Sequence, residues 1–209
     1  MPLDPVEIRR ALDHLRAADP IMRGVIERAG PFTLKPRRDR FHALVGSIIS
    51  QQISGKAAKA IHARLKAHLA PERITAETLL RIRVSELRKA GLSAQKATYL
   101  KDLASRVADR SLRLDRIAQL PDEEIIESLV QVKGVGVWTA QMFLIFSLGR
   151  LDVFPHADLG IRVALRNLYG LNELPDQEKS HKIAASWRPY ATIGTWYCWR
   201  SLDFKPAIS

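Results

Sequence analysis

One cysteine, Cys198, stands in 209 residues, which excludes an intrachain disulfide, a cysteine-rich zinc site and a cysteine-ligated iron–sulfur cluster built from this chain. Long apolar runs are missing too, since no uncharged stretch approaches the ~18 residues of a membrane span. The opening Met-Pro-Leu-Asp-Pro-Val-Glu-Ile-Arg-Arg lacks the basic-then-apolar order of a secretory signal. A soluble cytoplasmic protein with no membrane partner is the expectation. Strand-like alternation is almost absent, as are internal repeats, low-complexity tracts and long linkers. The six histidines (His14, His42, His62, His68, His156 and His181) form no pair at i, i+4 and no zincin-like sequence.

What is present is helical spacing from end to end, so the chain reads as an all-α protein of roughly ten helices joined by short loops. An apolar content of 46% with 26% charged residues is ordinary for a globular protein. Breakers such as Asp19-Pro20, Gly30-Pro31, Pro71, Gly91, Pro121, Gly149 and Gly170 separate the periodic segments. Pro121-Asp-Glu-Glu and Pro175-Asp-Gln-Glu read as first turns carrying early acids, and Ser54 as an N-cap. Two helical lobes are expected, residues 1–37 with 121–209 and residues 38–120, with a cleft between them. Lys and Arg exceed Asp and Glu by 33 to 22, for a net charge of +11 and a pI near 10.1. Such a balance suits counterion-releasing contacts with a polyanion, although basic proteins also bind anionic membranes or ribosomes.

The most informative segment spans residues 129–160. There Lys133-Gly134-Val135-Gly136 lies between two helical stretches, and Asp158 follows at a chain reversal. A glycine pair permits positive φ without a Cβ clash, so backbone N–H groups can converge on a phosphate at the mouth of the helix starting near Val137. A tight helix–helix connection would use the same glycines. From Val137 to Leu148 apolar residues occupy nearly every face, which describes a helix buried on most sides. Asp158 reads as the N-cap of the helix running towards Leu168 and equally as a catalytic carboxylate. The roles are compatible, because a helix N-terminus keeps an Asp ionised and an ionised carboxylate stabilises developing positive charge. Trp187, Trp196 and Trp199 fall close together with Tyr190 and Tyr197, either as a core stripe or as an aromatic pocket that Trp138 joins. His156 is the one histidine near enough in sequence to reach Asp158. Lys35-Pro-Arg-Arg-Asp-Arg40 is a solvated loop or a phosphate contact.

Four segments together resemble the helix-hairpin-helix superfamily of DNA glycosylases, in its DNA-3-methyladenine glycosylase II branch. They are Phe41-His-Ala-Leu-Val-Gly-Ser-Ile-Ile-Ser-Gln-Gln-Ile-Ser, Val132-Lys-Gly-Val-Gly-Val-Trp-Thr-Ala, Asp152-Val-Phe-Pro-His-Ala-Asp-Leu-Gly, and Trp187-Arg-Pro-Tyr with Trp199-Arg200. The resemblance covers the chain from about Phe41 to Arg200. It implies an all-α fold with the hairpin bordering the interlobe cleft, Asp158 as the catalytic carboxylate, and Trp138 and Trp199 as walls of the base pocket, with Tyr190 as a further pocket candidate. It implies phosphate binding at Lys133, Gly134, Val135 and Gly136. Gln52 takes the place of the side chain that wedges into the duplex, with Ile53 as the alternative. A structural Na⁺ or K⁺ held by the carbonyls of Val130, Val132 and Val135 is a further family trait; no cofactor is required.

Members that also cut the strand carry Lys where Trp138 stands, and without that amine no Schiff base with the sugar forms there. The hairpin here begins with Lys133 where Pro is common, and Ala191 follows the Trp-Arg-Pro-Tyr segment where Arg is common. The implied activity is removal of an alkylated purine from double-stranded DNA by a monomeric, monofunctional enzyme that leaves an abasic site in base excision repair. The setting is the bacterial nucleoid, or the nucleus in a eukaryote. Two rivals remain at this level, a glycosylase for deaminated, mismatched or oxidised bases and a non-catalytic helix-hairpin-helix module that anchors a complex on DNA.

Overall fold

The computed structural model describes residues 3–204, so the first two and last five residues of the expected 1–37 and 121–209 lobe lie outside it. No strand occurs among the described residues, and none of their helices is long and apolar enough to cross a membrane. The chain runs through α1 (Pro5–Ala18), α2 (Pro20–Ala29), α3 (Arg40–Ser50), α4 (Gly55–Leu69), α5 (Ala76–Arg81) and α6 (Val84–Lys89). It continues through α7 (Ala94–Ala108), α8 (Asp122–Val130), α9 (Val137–Phe143), α10 (Leu159–Leu168), α11 (Gln177–Ala184) and α12 (Ala191–Ser201). The surplus over ten comes from α5 and α6, at 6 residues each too short to show a full helical period.

Local chemistry sets most helix starts. Asp4, Asp19, Asp39, Ser54, Thr75, Ser93, Asp158 and Asp176 each cap a helix with a side-chain oxygen on its first-turn amides, a contribution of ~1 kcal/mol apiece. Ser54 caps α4 and the acids after Pro121 open α8, both as the sequence predicts. The run from Val137 to Leu148 is not one regular helix. It is α-helical to Phe143 and then widens into a π turn over Leu144–Leu148.

Two units divide the chain, Met1–Pro36 with Leu144–Ser209 and Arg37–Phe143. The inner unit, Arg37–Phe143, therefore ends at 143, where the sequence placed its boundary at 120, and the remainder is the outer unit. The reason is specific bonding, because α8 and the glycine turn are fastened to α3 and α7. The Asp102 carboxylate accepts from the Lys133 N–H at 2.9 Å, the Gln51 amide donates to the Gly134 carbonyl at 2.8 Å, and Ile125, Leu129, Val132 and Val135 are buried.

The outer unit packs α1 and α2 on α12 around Trp187 and Tyr197, both wholly buried. Gly194 admits the Trp187 ring, since a Cβ there would come within 2.6 Å of it. Asp19, 6% exposed, ends α1 and caps α2. Its carboxylate accepts from Ile21 N at 2.9 Å, Met22 N at 3.0 Å and Trp187 Nε1 at 2.9 Å, and from the Tyr169 hydroxyl. Burial, followed by the bond to Asp19, pushes the Tyr169 phenol far above its usual range. Cys198 is buried and its thiol is likewise pushed up by burial, which makes it an inert packing group.

Candidate active site

In the inner unit, α8 ends at Val130 and the chain turns through 131–136 into α9. Gly134 takes φ +80°, and a Cβ there would sit 2.1 Å from the Tyr99 ring, so only glycine fits. The Val135 amide closes the turn on the Val132 carbonyl at 3.0 Å. Val135 is therefore removed from the expected set of anion donors. Among the described residues the amides of Gly134 and Gly136 have no protein acceptor. These two, ahead of the α9 N-terminus, are the groups able to receive a phosphate oxygen. Lys133 is exposed beside them. For Asp102 burial favours the neutral acid, but the bonds from Lys133 N–H and Arg106 and their positive charges outweigh it and hold the carboxyl below its usual range.

Gly134→Ala is expected to weaken duplex binding about tenfold, because the Cβ must displace Tyr99 and a left-handed alanine costs ~1–2 kcal/mol. Fluorescence anisotropy with a labelled duplex measures this, and unchanged affinity would show that the turn does not grip DNA.

At the α3–α4 joint, Gln52 adopts φ +57°, an uncommon conformation for a side-chain-bearing residue. Gln52 is exposed and Ile53 is 36% exposed, so both wedge candidates are presented outward. Trp138, on the first turn of α9, is 45% exposed.

In the outer unit, Asp158 is the N-cap of α10, with φ −67° and ψ 122°. Its Oδ1 accepts from Ile161 N at 2.9 Å and from Trp199 Nε1 at 3.0 Å. Gly160 makes that second contact possible, because a Cβ there would lie 3.1 Å from Oδ1 and 3.3 Å from the indole. Phe146, on the π turn, stacks on Trp199 with centroids 5.6 Å apart and planes 23° apart. The cap and the indole together fix the Asp158 carboxylate.

The other aromatic candidates separate. Trp187 is core, and Trp196 packs edge-on against Phe32 at 4.9 Å. Tyr190 turns to α1, donating its hydroxyl to Glu7 at 2.8 Å and meeting His14 ring to edge at 5.5 Å. Its hydroxyl bond and ring contact thus run to α1. The His156 ring lies 5.0 Å from His181. In the basic segment, Arg40 donates to the Leu114 and Asp115 carbonyls at 2.6 and 3.2 Å, a structural tie.

Sequence reasoning missed Gln51, Lys96, Tyr99 and Asp102, which support the turn, and Phe146 and Gly160, which seat Trp199. The signal for the first set was available in part, since 95, 99, 102 and 106 fall on one face of α7 at helical spacing and are all polar or amphipathic. No group of three or more His, Cys, Asp or Glu side chains suited to a metal occurs among the described residues.

The profile of the HhH-GPD superfamily of base excision DNA repair proteins matches residues 45–189, and the chain belongs to that family. It is 32% identical over 199 residues to DNA-3-methyladenine glycosylase 1 of Schizosaccharomyces pombe, covering 93% of this chain and 87% of that one. Its fold superposes on the crystal structure of a DNA-3-methyladenine glycosidase from Bacillus halodurans with a TM-score of 0.84 and 34% identity, covering 92% and 89% of the two chains. The S. pombe 3-methyladenine DNA glycosylase Mag1 in complex with abasic DNA gives a TM-score of 0.83 and 30% identity, covering 96% and 100%.

Proposed function

We propose that the protein is a monofunctional DNA glycosylase that hydrolyses the N-glycosidic bond of alkylated purines of the 3-methyladenine type and leaves an abasic site. The observation that carries the proposal is the Asp158 carboxylate, oriented by Ile161 N–H and the Trp199 indole. Family membership and the named activities of the relatives support it.

A base stacked in a duplex keeps its glycosidic bond out of reach, so the nucleotide must leave the helix, at a cost of a few kcal/mol that is least for a damaged base. We assign the grip on the strand to the Gly134 and Gly136 amides with Lys133, and the filling of the gap to Gln52 or Ile53. Trp199, beside Asp158, offers a π face to the base, which suits a purine made cationic by N3 or N7 alkylation. Such a base leaves readily and needs little protonation. As the bond breaks, positive charge moves to the sugar, and Asp158 stabilises that cation and orients or deprotonates the attacking water. Two donors on Oδ1 keep the carboxylate in place without reorganisation during the step.

A monovalent cation fits the backbone at the turn. Among the described residues the Val130 and Val135 carbonyls accept no backbone bond from the turn, and Val132, which accepts one from Val135 N–H, retains a second lone pair. Such an ion would add positive charge beside the phosphate.

The test is incubation of the protein as a monomer with duplexes bearing 3-methyladenine, 7-methylguanine, 1,N6-ethenoadenine, hypoxanthine or 8-oxoguanine. Released bases and strand breaks are then analysed with and without alkali. Release of methylated purines with breaks only after alkali is the expected result. Breaks without alkali would refute the monofunctional assignment, and binding without release would leave a DNA-binding module.

A further inference from the structure

Helix α7 fastens two separate loops of the inner unit. The Lys96 ammonium donates to the carbonyls of Ile49 at 2.7 Å and Gln51 at 2.6 Å, on either side of Ser50 and just before Gln52 enters its left-handed conformation. One turn further along, Tyr99 lies against Gly134, its hydroxyl accepting from Gln95 Nε2 at 2.6 Å, and Asp102 accepts from Lys133 N–H. Gln51 then closes the circuit, since its side chain reaches the Gly134 carbonyl at 2.8 Å while its own carbonyl is held by Lys96. A positive-φ glutamine persists only where its surroundings fix it, and here Gln51 is shared between the joint that Lys96 fixes and the glycine turn that Tyr99 and Asp102 hold.

We propose that Gln51 and Lys96 are positioning residues for base extrusion, locking the 51–53 joint and the glycine turn into one rigid grip so that the protruding joint stands at a set distance from the captured phosphate. The proposal rests on the glycosylase reading above. Its physical basis is preorganisation: a joint already ordered loses little freedom when it enters the base stack, whereas a loose one must be ordered at that moment. Neither residue is placed on the reacting sugar, so both act before bond cleavage.

The experiment compares single-turnover release of 7-methylguanine from a duplex and from the same strand unpaired, for the wild type, Gln51→Ala, Lys96→Met and Lys96→Arg. Gln51→Ala and Lys96→Met are expected to slow duplex release about tenfold, the scale of one lost positioning hydrogen bond, and to leave single-strand release within about twofold. Lys96→Arg, which keeps the charge and donors, restores duplex release. 2-Aminopurine beside the lesion reports extrusion directly, and its fluorescence rise slows in step with duplex release. Equal losses on both substrates, or no loss on either, would overturn the proposal while the glycosylase reading stands. A wild type inactive on both would overturn that reading and this proposal with it. Should Lys96→Met fail to fold, Gln51→Ala, a partly exposed side chain, still decides the outcome.

Discussion

Asp158→Asn binds duplex DNA with the affinity of the wild type and releases alkylated base at least ~10²-fold more slowly, the scale seen when a charge-stabilising group is removed from a transition state. Asparagine is as good an N-cap as aspartate, so the bond to Ile161 N at 2.9 Å and the start of α10 survive. The amide oxygen still accepts from Trp199 Nε1. What disappears is the formal negative charge, which isolates electrostatic stabilisation of the sugar cation from structural support. Single-turnover base release beside anisotropy titrations measures both quantities. Release at the wild-type rate would take Asp158 out of the chemistry and reduce it to a helix cap.

Asp19→Ala is the second large effect, on stability. Asp19 is 6% exposed and accepts from two backbone amides, the Trp187 indole and the Tyr169 hydroxyl. Truncation leaves two buried donors, Met22 N–H and the Trp187 indole, and two part-buried ones without an acceptor and removes the α2 cap, together a loss of about 3–5 kcal/mol. Urea denaturation followed by tryptophan fluorescence reads the change, with Trp187 itself part of the network. A loss below about 1 kcal/mol, the size of a cap alone, would show that α1, α10 and α12 are held together by apolar packing without this carboxylate.

How far the sequence alone reveals these features depends on whether the cause is local. Caps such as Ser54 and Asp158, the glycine turn and the helical class are written in neighbouring residues, and all are found where expected. Trp199 is legible only through resemblance, because nothing in its surroundings separates it from Trp187, which is core, or from Trp196, which packs on Phe32. Tyr190 shows the same limit in reverse: its partner Glu7 lies 183 positions away, and no spacing rule announces such a pair. The boundary at 143 was missed for a related reason. Composition changes little between 120 and 143, and what assigns α8 and the glycine turn to the inner unit is long-range bonding to Gln51 and Asp102 and packing against Tyr99. The π turn around Phe146 has no period that pattern reading distinguishes from the α-helix before it.

The outer unit joins 3–36 to 144–204 through pairs such as Tyr169 with Asp19, 150 residues apart, and Tyr197 with Gly30, 167 apart. On the ribosome, α1 and α2 emerge first yet must wait for α12, with their apolar faces uncovered throughout translation of the intervening stretch. The inner unit is one continuous stretch, 37–143, so it can mature during the delay. Slowed elongation, or a stop codon before α12, would therefore leave the nascent chain with exposed Leu15, Met22 and Val25 as ready targets for chaperones.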